Sequence, residues 1–210
     1  MEIIFEDKYI IVVHKPHNLP TQTAKLTQKD VVSELKKHLK INNKDPYIGI
    51  IHRLDQNVEG LLVFAKDKEA AAILSKQLSD DIFCKEYIAK VSGNLPEGRI
   101  TLEDYLYSDP KSNVTKVVSP DYKGAKKSSL IFEKIDNNLV KICLKTGRKH
   151  QIRVQMANAG FPILGDLKYG NGEKSSSNRL CLMAYHLAFL HPKTGEKLDF
   201  ELPITLTKTW

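Results

Sequence analysis

Cysteine is scarce in this 210-residue chain: three residues, Cys84, Cys143 and Cys181, with no C-x-x-C spacing among them. An odd, scattered set leaves one thiol unpaired in any disulfide scheme and suits a reducing compartment. No apolar stretch approaches the ~20 residues of a membrane span, and the start, Met-Glu-Ile-Ile-Phe-Glu-Asp, lacks the basic and apolar regions of a signal peptide. A cytoplasmic protein without a membrane association is expected. Arginine is also sparse: Arg53, Arg99, Arg148, Arg153 and Arg179 are the five among 32 basic residues. Lysine therefore supplies the general surface charge, leaving arginine for places that need a rigid, bidentate fork.

What remains is ordinary for a globular protein: 41% hydrophobic, 27% charged and 8% aromatic. A chain of this length buries about 70% of its unfolded surface, enough for a core without metal or disulfide staples. The absence of repeats, low-complexity tracts and composition breaks leads us to expect one domain over residues 1–210. The formal charge of +7 and pI of 9.1 favour a polyanionic partner such as nucleic acid, although a basic housekeeping enzyme fits as well.

Tyr9-Ile-Ile-Val-Val-His14 reads as a strand closed by Lys15-Pro16. From Thr27 to Leu39 the pattern is helical, with Val31, Leu35 and Leu39 on one face and Thr27 with Asp30 as a capping box. Residues 41–60 form a long polar connection, Leu61–Ala65 a buried strand, and Asp67 caps a helix bearing Ala70, Leu74 and Leu78. Beyond Cys84 the chain is strand-rich: Tyr87–Val91, a hairpin of Leu130–Ile135 and Leu139–Leu144, and a terminal hairpin of Leu187–Phe189 and Leu198–Leu202. Residues 107–128, rich in Lys, Ser, Asp and Pro, read as a mobile surface excursion. A helix over about 149–159 is stopped by Gly160, with Pro162 just beyond. The expected class is α+β, a mainly antiparallel mixed sheet with flanking helices.

Two polar constellations stand out. His52-Arg53-Leu54-Asp55 places a titratable ring, a fixed cation and a carboxylate on the long connection. A loop Asp beside a cation can serve as nucleophile or base, though the same four residues also suit a salt-bridged turn. Thr146-Gly-Arg-Lys-His-Gln-Ile-Arg153 combines a tight turn at Gly147 with a helix start. Arg148 and Lys149 there oppose the helix dipole unless an anion sits with them, and a solvated basic face is the plainer alternative. His14-Lys-Pro-His17 has metal-like spacing, but Pro16 and the lack of a nearby Cys or acidic ligand argue against zinc. The three cysteines, in apolar or strand contexts, read as core.

His52-Arg-Leu-Asp55, Gly60-Leu-Leu-Val-Phe-Ala-Lys66, Lys85-Glu-Tyr-Ile-Ala-Lys-Val-Ser-Gly93, Thr146–Arg153 and Gly160-Phe-Pro-Ile-Leu-Gly-Asp166 follow one another along the chain. In that order they resemble the motifs of the RluA-like RNA pseudouridine synthases, from about Tyr9 to Pro203. The resemblance leaves no room for the small N-terminal RNA-binding domain of many members. It implies isomerisation of a uridine in structured RNA without cofactor or metal; we expect ribosomal RNA in preference to transfer RNA as the substrate, and a monomer with no obligatory protein partner. Asp55 is then the essential carboxylate, adding to C1′ or abstracting the C2′ proton. Arg153 is its ion-pair partner, Tyr87 stacks on the uracil, and Leu182 walls the base pocket. Arg53 fills the space of the extruded base, Arg148 and Lys149 hold flanking phosphates, and His52 contacts the RNA backbone or braces the loop.

Asn57 and Glu59 depart from a frequent Thr and Ser, and Gln155 and Met183 from a common His, which bears on substrate choice more than on activity. Two other functions compete. An RNA-binding protein that lost catalysis is opposed by the retention of Asp55, Tyr87 and Arg153. A carboxylate glycosidase would need a second acid across the bond, and the sequence shows no such partner.

Overall fold

The structure, a computed structural model, describes residues 1–25, 27–40, 45–172 and 175–210. In chain order the elements are β1 (Glu2–Glu6), β2 (Ile10–Lys15), α1 (Val31–His38), β3 (Gly49–Ile50), β4 (Glu59–Ala65), α2 (Lys68–Ser79), β5 (Cys84–Lys90), β6 (Arg99–Asp109), β7 (Val114–Val118), β8 (Lys126–Asp136), β9 (Leu139–Leu144), α3 (Gln151–Asn158), β10 (Leu182–Leu190) and β11 (Lys197–Glu201), ending in a 3₁₀ turn at Ile204–Thr209. The class is α+β, and the strand pairings described below are antiparallel. Among the described residues no helix is long and apolar enough to cross a membrane.

The chain packs as two compact units, Met1–Lys85 with Ala184–Leu202, and Glu86–Met183 with Pro203–Trp210. In the first, β2 pairs with β1 on one side and β4 on the other, β3 adds to β4, and β11 returns on β10. Ile10–Val13 and Leu61–Ala65 are almost wholly buried, which explains why both read as continuous apolar runs. Val31 and Leu35 dock α1, each fully buried, a gain of about 1.5–3 kcal/mol per side chain. The helix starts later than its sequence pattern suggests. Asp30 is itself the N-cap, accepting from the Ser33 N–H at 2.6 Å while the Ser33 hydroxyl returns to the Asp30 N–H, so the capping box runs from Asp30 rather than Thr27. Asp67 caps α2 as expected, its carboxylate 2.8 Å from the Ala70 N–H. Of the connection over 41–60, residues 41–44 lie outside the described residues.

The second unit holds β5, β9, β8, β6 and β7, each paired antiparallel with the next. The β8–β9 hairpin turns at Asp136–Asn138 where the sequence placed it. The expected excursion over 107–128 is instead the end of β6, all of β7, a short loop and the start of β8, with Tyr105–Asp109 in register against Val118–Val114. Its polar composition belongs to an outer hairpin, where one face of each strand meets solvent. Helix α3 ends at Asn158 with Ala159 as its C-cap, and Gly160 follows at φ +87, the left-handed stop expected.

Candidate active site

Asp55 sits in the first unit on a loop between β3 and β4, partly exposed, with exposed Arg53 two residues before it. The loop is clamped on both sides of the carboxylate. Thr21, 3% exposed, donates its hydroxyl to the Leu54 carbonyl at 3.0 Å and accepts from the Leu54 N–H at 3.2 Å. On the other side, Lys15 donates its ammonium to the Gln56 carbonyl at 3.0 Å, and also to the carbonyls of Leu19 at 2.8 Å and Pro16 at 3.0 Å. His17 Nδ1 lies 2.8 Å from the Asn57 carbonyl, the Gln56 amide donates to Asn18 Oδ1 at 2.8 Å, and the Val58 N–H closes a turn on the Asp55 carbonyl.

Lys15 is completely buried, and sequence reasoning missed it, as it missed Thr21. Its three acceptors match the three donors of an ammonium. Burial pushes its pKa down to about 8, against the opposing pull of the Asp55 and Glu59 charges. The segment weighed as a metal site thus serves another purpose: Lys15 and His17 hold the Asp55 loop, and His14 lies 3.8 Å from Glu2.

His52 keeps some exposed surface, but its ring lies edge-on to Phe83 with centroids 6.2 Å apart, and Phe83 stacks on Phe189 at 5.2 Å. The Val63 N–H points at its Nε2 from 3.5 Å, the long end of a hydrogen bond. Burial of the ring, then the nearby Lys85 charge, pushes its pKa down to about 3. The contacts with Phe83 and the Val63 N–H tie the ring to its own unit.

The second unit carries Tyr87, Arg153, Leu182, Arg148 and Lys149. Tyr87, 7% exposed, lies on β5 opposite Ile142, and Leu182, 3% exposed, begins β10. Arg153, 8% exposed, grips Asp166 bidentately, Nε to Oδ2 and Nη2 to Oδ1 both at 2.7 Å. Its guanidinium also faces the Tyr169 ring, 5.0 Å from the centroid. Asp166 further accepts the N–H groups of Lys168 at 2.9 Å and Tyr169 at 3.1 Å. Burial raises the Asp166 pKa, yet the Arg153 bonds and charge and those two N–H groups outweigh it, so the carboxyl is held below its usual value. Gly165 lets this loop lie flat on its neighbour: at φ +74, a Cβ there would be 2.0 Å from the Arg179 carbonyl oxygen.

The loop before α3 is held by Gln151, 3% exposed, which accepts from the Arg148 N–H at 2.9 Å and the Thr146 hydroxyl at 2.8 Å and donates to the Ser129 carbonyl at 3.0 Å. The left-handed residue that turns the chain into the helix is His150, at φ +53, rather than Gly147. His150 Nδ1 meets the Tyr169 hydroxyl at 2.6 Å, and that hydroxyl accepts the Thr115 N–H. Of the departures, Gln155 is fully buried and donates to Asp104 at 2.8 Å, Met183 is fully buried, the Asn57 carbonyl meets His17, and the Glu59 charge acts on Lys15. Only Cys181 of the cysteines is core; Cys84 and Cys143 are half-buried, with Cys84 Sγ 3.8 Å from His186 Nδ1.

The RNA pseudouridylate synthase family model matches residues 9–158, and the chain belongs to that family. It is therefore an isomerase acting on RNA. It is 36% identical over 210 residues to YlyB, an uncharacterized RNA pseudouridine synthase of Bacillus subtilis (strain 168), covering 97% of this chain and 69% of the relative. It is 31% identical to ribosomal large subunit pseudouridine synthase C of Buchnera aphidicola subsp. Acyrthosiphon pisum (strain APS), covering 97% and 67%. In fold it resembles human RNA pseudouridylate synthase domain containing 4, with a TM-score of 0.73 at 24% identity, covering 99% of this chain and 91% of that one.

Proposed function

We propose that the chain converts a uridine of structured ribosomal RNA to pseudouridine with Asp55 as the reacting carboxylate. The observation that carries this reading is the clamp: Thr21 fixes both backbone groups of Leu54 and Lys15 fixes the carbonyl of Gln56, so the residue between them is held from both sides. Such support is costly to build and suits a group that must meet a reacting atom. The ribosomal preference draws on the large-subunit relative.

The reaction breaks the N1–C1′ bond, joins C5 to C1′, moves a proton off C5 and returns one to N1. No electron pair leaves the substrate, so a carboxylate suffices, bonding to C1′ or taking the C2′ proton as uracil departs. In the roles the family resemblance gives them, Arg153 is the ion-pair partner of Asp55, Tyr87 stacks on the uracil, and Leu182 walls the base. Arg53 replaces the extruded base in the helix, and Arg148 and Lys149 hold phosphates. We read residues 1–210 as one catalytic domain, because the family match over residues 9–158 runs through both compact units.

Release of tritium from C5-labelled uridine in transcribed ribosomal RNA tests the reading. Wild type releases it; Asp55→Asn does not, while RNA affinity stays within about tenfold because the phosphate contacts lie elsewhere. Release near the wild-type rate by Asp55→Asn removes the assignment.

A further inference from the structure

The end of β6, the loop into β8 and the loop before α3 line a groove of about 330 Å³. That volume lies within the ~300–1,000 Å³ of small-ligand sites. Lys126, Arg148 and Lys149 bring three positive charges to it, Tyr107 an aromatic face, and Gly124 and Gly147 bare backbone; no carboxylate is among the described residues lining it. The tyrosine has a companion outside the lining. Tyr122, 50% exposed, has its ring centroid 5.0 Å from that of Tyr107 at an interplanar angle of 59°.

The cations are placed. Arg148 donates Nε to the Lys127 carbonyl at 3.2 Å, which fixes its guanidinium plane, and its N–H is held by Gln151. Lys149 bonds the side-chain oxygen of Asn113, a neutral partner that leaves the charge uncancelled. An aromatic face bordered by oriented cations and free of acids fits a nucleotide, whose base stacks and whose phosphate is anionic. An acidic peptide would use the cations and leave the tyrosines idle.

We infer that this groove is an RNA subsite for one unstacked nucleotide other than the target uridine, its base on the Tyr107–Tyr122 pair and its phosphate on Lys126, Arg148 and Lys149. The inference rests on the chain acting on RNA and adds Tyr107, Tyr122 and Lys126 to the residues that bind it.

Fluorescence anisotropy tests it with a labelled uridine hexamer and the same backbone without bases, at two salt concentrations. Tyr107→Ala weakens the hexamer about tenfold and the abasic strand less than twofold, whereas Tyr107→Phe binds as wild type. Tyr122→Ala, at a half-exposed ring, gives the same contrast without touching β6, should Tyr107→Ala fail to fold. Lys126→Ala weakens both strands and flattens the salt dependence. Equal losses on the two strands, no loss from either tyrosine, or displacement of the hexamer by polyglutamate in a tyrosine-independent manner overturns the subsite. Tritium release by wild type is read separately. Its absence would defeat the catalytic reading and leave the anisotropy contrast intact, and the converse would leave catalysis standing without this groove.

Discussion

The Arg153–Asp166 pair offers the sharpest energetic perturbation, because both side chains are at least 90% buried and joined by two 2.7 Å bonds. Removing one partner strands the other charge, a loss of about 3–5 kcal/mol. For a chain of this size each kcal/mol moves Tm by about 2–4 °C, so Arg153→Met should lower it by about 6–20 °C. Asp166→Asn tests the geometry more finely. Oδ1 accepts from Arg153 Nη2 and from the Lys168 and Tyr169 N–H groups, so an Asn that keeps its oxygen there turns its NH₂ toward Arg153 Nε, donor against donor. The double variant Arg153→Met with Asp166→Leu removes both charges together and should regain at least about 2 kcal/mol over the sum of the single losses, short of wild type because the two N–H groups lose their acceptor. Thermal and urea melts of wild type, Arg153→Met, Asp166→Leu and the double variant give that coupling directly. Coupling below about 0.5 kcal/mol would refute the claim that the pair acts as a unit. The double variant should stay inactive even where it melts well, since the proposed charge partner of Asp55 is gone.

Asp166 also sets an acid limb: its carboxyl is held below the usual 3.8, so its contribution is complete by about pH 5 and is lost as pH falls through the folded value, and Arg153→Met should remove that part of the acid unfolding profile. Lys15 acts in the opposite sense. Its folded pKa of about 8 lies below the usual 10.5, so the unfolded chain binds more protons between these values and stability gains with pH across that window, while activity falls as the ammonium loses one of three donors and its charge. Lys15→Met should abolish the alkaline fall in kcat/KM; a fall unchanged in the variant would separate Lys15 from the loop. Arg53→Ala should slow reaction at a helix-embedded uridine far more than at the same uridine in an open loop, with Arg53→Lys nearer Ala, and equal fractional losses in single-turnover rates on both RNAs would remove it from base extrusion.

Much of the strand framework was legible because β2 and β4 are buried apolar runs and β8 and β9 meet at an Asp-Asn-Asn turn. The hairpin of β6 and β7 was not, since its length and register come from pairing with β8 while its composition is that of a loop. The family was legible because the ordered motifs around Asp55, Tyr87 and Arg153 carry it, and the family model matches residues 9–158. Lys15 was hidden because lysine is ordinarily a surface residue and its acceptors, Pro16, Leu19 and Gln56, converge only after the two loops dock. Asp166 stood in a quoted motif, yet its bond to Arg153 spans 13 residues and a chain reversal at Gly160 and Gly165 that no periodicity encodes.

The central claim is that this chain makes pseudouridine in RNA through Asp55. Pseudouridine mapping at nucleotide resolution across total RNA, in cells lacking the gene and in the same cells carrying wild type or Asp55→Asn, tests it most directly. The account predicts a discrete ribosomal uridine that is modified with wild type and unmodified without the gene or with Asp55→Asn. An unchanged map after deletion of the gene, or a site restored in full by Asp55→Asn, would contradict it.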